Sequence, residues 1–109
     1  MRGLELFNQR EFFECHEVIE DLWLKTSAED TYRDLYKGVI QAAAAIYQLE
    51  RGVLSGALGL YKTSIVYLEK YKPTALGLNV GRLIEDMKLC FKMPELESHL
   101  IPTLDYATL

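Results

Sequence analysis

A histidine and a carboxylate on one helical face can share a metal ion or a proton, and His16 and Glu20 stand four residues apart in the run Phe12-Phe13-Glu14-Cys15-His16-Glu17-Val18-Ile19-Glu20-Asp21-Leu22-Trp23-Leu24. At about 100° per residue the pair falls inside the apolar face, among Phe12, Phe13, Ile19, Trp23 and Leu24. An unpaired buried charge costs several kcal/mol, so two ionisable groups directed at a core must be hydrogen-bonded or paired. The expectation is a semi-buried polar cluster centred on His16 and Glu20.

Two chemistries suit such a pair. As metal ligands, His16 and Glu20 would sit about 5 to 6 Å apart at Cβ, and Glu17 completes a local HExxE string. The zinc-protease pattern needs a second histidine at its fourth place, paired ExxH motifs are missing, and His99 lies far off in the tail. No cofactor is therefore expected, and a divalent metal would have to recruit a distant ligand to His16 and Glu20. As an acid–base pair, a desolvated Glu20 would have a raised pKa and hold His16 in one tautomer, which makes these two the candidate catalytic residues.

Supporting groups come from a second helix, where Arg33, Lys37, Gln41, Gln48 and Arg51 form a polar stripe at helical steps. If that stripe turns toward the first helix, Arg33 or Lys37 pairs with Glu20 while Gln41 hydrogen-bonds His16, in a pocket walled by Trp23 and Tyr47. The competing reading makes the same network structural, fixing helix register with Trp23 as a core anchor. Cys15, on the apolar flank, is expected to be inert.

The elements that must position these residues are all helical. Asn8 is expected to cap the first helix, with Glu11 as its capping-box partner and Phe7 and Phe12 at the staple positions. Ser27 with Asp30 opens a long second helix that ends at Gly52, and its Ala42–Ala45 run lets neighbouring helices approach closely. Ser55 caps a third helix that stops near Tyr71, ahead of Pro73, and 73–79 is a loop. Asn79 caps a fourth, while Pro94 and Pro102 bracket a short helical turn. With no strand pattern the class is all-α: a compact bundle of about five helices forming one domain over 1–109, with its core at 7–92 and a turn and tail at 93–109.

Composition removes several function classes. The chain has 109 residues, half of them hydrophobic, and 12 basic residues against 16 acidic ones for a net charge of −4. Without clustered Lys and Arg a nucleic-acid partner is not expected. No apolar run approaches the roughly 18 to 20 residues of a membrane span, and Met1-Arg2-Gly3-Leu4-Glu5 lacks the basic-then-apolar order of a signal peptide. A cytoplasmic protein is expected, in keeping with two cysteines, Cys15 and Cys90, outside any CxxC spacing.

His16-x-x-x-Glu20-x-x-Trp23, preceded by Phe12-Phe13-Glu14 and followed by Lys37-Gly38-Val39-Ile40-Gln41, Arg51-Gly52 and Gly56-Ala57, resembles the bacterial and archaeal proteins grouped as domain of unknown function 309. The resemblance covers roughly residues 7 to 85. It implies a compact bundle of about five helices and no agreed activity. Family members often carry a histidine where this chain has Gln48, a departure that weakens a metal site built there. The segment from Tyr47 through Gly52, Gly56-Ala57 and Tyr61 is also similar to a tetratricopeptide-like hairpin, a unit that serves peptide binding and self-association. The numerous tyrosines, Tyr32, Tyr36, Tyr61, Tyr67 and Tyr71, suggest an exposed patch through which a homodimer could form. Two functions are therefore expected in competition. In one, the cluster binds a small ligand or supports hydrolytic acid–base chemistry; in the other, a non-catalytic adaptor engages a protein partner.

Overall fold

A computed structural model describes residues 2–92 together with Pro102 and Leu104. Helices account for about three quarters of it: α1 Arg2–Asn8, α2 Phe12–Leu24, α3 Arg33–Glu50, α4 Leu54–Leu68 with a 3₁₀ turn Glu69–Tyr71, and α5 Val80–Lys92. No strand occurs among the described residues; Ala75 and Leu78 form only an isolated bridge. The fold is all-α, as expected. The five helices among the described residues include the N-terminal α1, whereas the turn expected between Pro94 and Pro102 lies outside the described residues, as does His99.

α1 is the main departure from the expected boundaries. Asn8 closes this helix instead of capping the next, because Leu4, Leu6 and Phe7 bury an apolar stripe of their own. Glu11 N–H donates to Leu6 O and Arg10 N–H to Phe7 O, with Arg10 in the left-handed region at φ 64°. Glu11 then occupies the N-cap position of α2 without a side-chain cap bond. The expected aromatic staple survives the change, with the Phe7 and Phe12 rings edge to face at 5.2 Å. Asn8 instead holds Leu104: its Nδ2 donates to Leu104 O at 3.1 Å, and Leu104 N–H donates to its Oδ1 at 2.7 Å. The core accordingly runs beyond 7–92, from Leu4 to Leu104, both buried.

Two other caps are also displaced. Ser27 and Asp30 shape the turn before α3, accepting from Glu29 N–H and Tyr32 N–H, and the helix itself starts at Arg33. Ser55 lies inside the first turn of α4, behind an N-cap at Val53. Asn79 does cap α5, with Oδ1 accepting from Arg82 N–H at 3.1 Å.

α3 is the central helix and packs most extensively on α4, then on α2. Gly38 permits this: a Cβ built there would come within 2.8 Å of Leu68 Cδ2 and 3.2 Å of Tyr67 Cβ. The alanine run contributes Ala42, Ala43 and Ala45, all fully buried. Gly52, at φ 78°, turns the chain back into α4 as expected. The five tyrosines form no exposed patch. Each is half-buried, with Tyr61 stacked on Phe91 at 4.6 Å and Tyr71 donating its hydroxyl to Thr31 O.

Candidate functional site

α2 turns its inward face by about one residue from the expected position. Phe12, Cys15 and Ile19 are the buried residues, while Phe13 is 52% exposed and Leu24 66%. His16 and Glu20 thus lie on the flank of the apolar face and not at its centre. Their side chains stay 30% and 46% exposed, with His16 Nε2 3.1 Å from Glu20 Oε2. The pair expected from the spacing forms, but water still reaches it, so the desolvation that motivated the acid–base reading is missing.

The polar stripe of α3 turns toward α2, with a different pairing from the one expected. Arg33 and Lys37 both settle on Trp23, the Arg33 Cζ and the Lys37 Nζ each 4.4 Å from the ring centroid. Neither pairs with Glu20 among the described residues. Arg33 Nη1 also donates to Trp23 O at 3.2 Å and to Thr26 O at 2.7 Å, satisfying carbonyls at the open end of α2. A delocalised cation serves here because it can lie on the indole and donate to backbone oxygens together. Gln41 does not reach His16: its Oε1 is buried with no hydrogen-bond partner among the described residues. Tyr47 packs on Phe13, ring centroids 5.3 Å apart, and its hydroxyl accepts from Arg51 Nη1 at 2.9 Å.

His16 therefore stands on a low ridge between two open hollows. Phe13, Ala44, Tyr47, Gln48 and Leu60 line one with it. The other is acidic, with Glu17, Glu20 and Asp21 set between Phe13 and Leu24. Asp21 is bound to Lys25 at 2.9 Å, and Glu17 lies exposed beside it. Among the described residues no three His, Cys, Asp or Glu side chains are grouped to hold a metal. Sequence reasoning missed Leu60, which the α3–α4 hairpin carries to Phe13. It also missed the apolar hollow on the other side of α2, a cavity of about 130 Å³ lined by apolar residues and Tyr36.

Both cysteines are buried and unbridged. Burial pushes the Cys15 thiol up to about 12, and burial with the nearby charge of Glu50 pushes Cys90 to about 11. Cys15 Sγ donates to Gly3 O, tying α2 to α1, which fits the inert role expected of it.

Comparison with known proteins bears on the same segment. The uncharacterized protein YpuF of Bacillus subtilis (strain 168) is 34% identical over 94 residues, covering 84% of this chain and 53% of the relative. An uncharacterized protein of Aquifex aeolicus (strain VF5) is 23% identical over 77 residues, covering 71% of this chain and 23% of the relative. The chain spans about half the length of the first and less than a quarter of the second. No solved structure matches it. The family model described as Domain of unknown function (DUF309) matches residues 1–60, which hold α1, α2, α3 and every residue around His16. The chain belongs to the domain of unknown function 309 family.

Proposed function

We propose that this protein is a non-catalytic helical binding module that docks a basic amphipathic segment of a partner protein along the outer stripe of α2. One observation carries the reading: Phe13 and Leu24, 52% and 66% exposed, stand eleven residues apart on one face, with Glu17 and Glu20 between them. At about 1.5 Å per residue the two apolar anchors are roughly 16 Å apart. Carboxylates between apolar anchors favour a partner carrying Lys or Arg between its own apolar residues, because complementary charge sets register and speeds encounter.

Hydrolytic chemistry or small-ligand capture at His16 has less support. Each would use an enclosed site and a carboxylate withdrawn from water, and the hollows beside His16 are open. We place the module in the cytoplasm, where free thiols such as Cys15 and Cys90 persist. No described helix is long and apolar enough to cross a membrane.

The test is a photo-crosslinking phenylalanine analogue at position 13, with one at the exposed Val66 as control, in living cells. A discrete cross-linked polypeptide at position 13, absent at 66 and lost in the Glu17→Lys/Glu20→Lys variant, is expected. Products that are the same at both positions, or that survive the charge reversal, contradict the reading. A melting shift caused by a divalent metal or metabolite in the wild type, but not in Glu20→Gln, would return the site to a small ligand.

A further inference from the structure

The inner side of α2 holds a second hollow unrelated to the docking stripe. Leu4 of α1, Ile19 of α2, and Leu35 and Val39 of α3 wall a cavity of about 130 Å³. Leu78 and Leu104 add to its walls, and Asn8 holds both backbone groups of Leu104. An apolar space of about 150 Å³ in a helical protein stays dry and takes up benzene, so this volume suits one ring or a short hydrocarbon group.

The rim is unusual in two respects. Leu76 sits there in the left-handed region at φ 50°, a conformation that a bulky residue seldom adopts, and 47% of it is exposed. The adjoining Gly77, at φ 73°, meets the same demand without strain. A strained turn that presents a leucine to solvent gains little for folding, whereas the same leucine can close over an occupant. Among the described residues of the lining, Tyr36 carries the only polar side chain. Burial and the negative charge of Asp30 both hold its phenol protonated, so it offers a hydrogen-bond donor in a setting that disfavours an anion.

We infer that this cavity binds a compact uncharged ligand, an aromatic ring or short hydrocarbon with at most one neutral polar group, with Leu76 as its cover and Tyr36 as its polar contact. Leu76 is then a specificity-determining residue and not a loop accident.

The experiment is thermal melting of the full chain with toluene, benzyl alcohol or benzoate, using wild type, Leu76→Asn and Val39→Phe. The two neutral probes should raise the wild-type melting temperature by about 3 °C or more through binding to the folded state, and benzoate by less than about 1 °C. Asparagine tolerates the left-handed backbone, so Leu76→Asn should melt no lower than wild type while losing most of the shift. Val39→Phe fills the space and should abolish it; if that variant does not fold, Leu76→Asn decides alone. Absence of a wild-type shift, or a shift undiminished in Leu76→Asn, overturns the inference. A shift that appears only after Leu104→Ala also overturns it, because the chain itself then fills the cavity.

Discussion

Phe12 and Phe13 are neighbours in the chain with opposite environments: Phe12 is 1% exposed and Phe13 52%. They divide α2 into an inward side, which continues through Cys15 and Ile19, and an outward side, which continues through His16, Glu17, Glu20 and Leu24. The leucine-lined cavity lies on the first and the hollows beside His16 on the second. The contrast follows from the cost of desolvation, since a helix can line a recess with leucines but must leave a His–Glu pair open to water. A run of thirteen residues can thus be apolar on average and still present a polar outer face.

The largest expected effect separates the two phenylalanines. Phe12→Ala should lose about 3 to 5 kcal/mol by removing a packed ring, and Phe13→Ala less than about 1 kcal/mol, both measured by urea unfolding. Equal losses would erase the distinction between the faces. Gly38→Ala probes the support behind α2, because its new Cβ would strike Leu68. Overpacking should cost about 1 to 3 kcal/mol, against a gain of nearly 1 kcal/mol expected from helix propensity alone.

The outward side is held at one end by the cations on Trp23. Arg33→Lys should cost about 1 to 2 kcal/mol, since an ammonium cannot both stack on the indole and donate to Trp23 O and Thr26 O. Lys37→Arg should be nearly neutral, and paired melts of the two variants would show whether their roles differ. The inward side has its own signature in pH. Folding raises Cys15 from 9.0 to about 12 and Cys90 from 9.0 to about 11. The unfolded chain therefore releases these protons first, so the thiols leave stability unchanged below pH 9 and lower it as pH rises toward 11. Between pH 8 and pH 10 the loss should be about 1 kcal/mol per thiol, and a Cys15→Ala/Cys90→Ala variant should show a correspondingly flatter profile.

Helix types and the stops at Gly52 and Pro73 were legible in the sequence because periodicity and such signals act locally, whereas of the expected caps only Asn79 stands where it was placed. α1 was not legible, because seven residues carry too little periodicity and Asn8 is equally apt as a cap and as a partner for the backbone of Leu104. The His16–Glu20 pair was legible from its spacing. The rotation that left it half-exposed was not, since Phe13 and Leu24 read as core until neighbouring helices choose their side. The same gap concealed the choice of Trp23 over Glu20 by Arg33 and Lys37: a pattern places cations on a face but does not say whether a ring or a carboxylate will receive them. Leu60 and the cavity depend on how α4 and the 73–79 loop close over α2 and α3, which no local pattern encodes.

A small predicted effect is the most informative. Equilibrium urea unfolding of Glu20→Gln beside wild type asks directly whether the His16–Glu20 pair belongs to the outward face of α2. A half-exposed pair predicts a difference below about 0.5 kcal/mol with an unchanged denaturant slope. A loss of about 3 kcal/mol or more would contradict it, because only a buried pair left with one partner is destabilised that far.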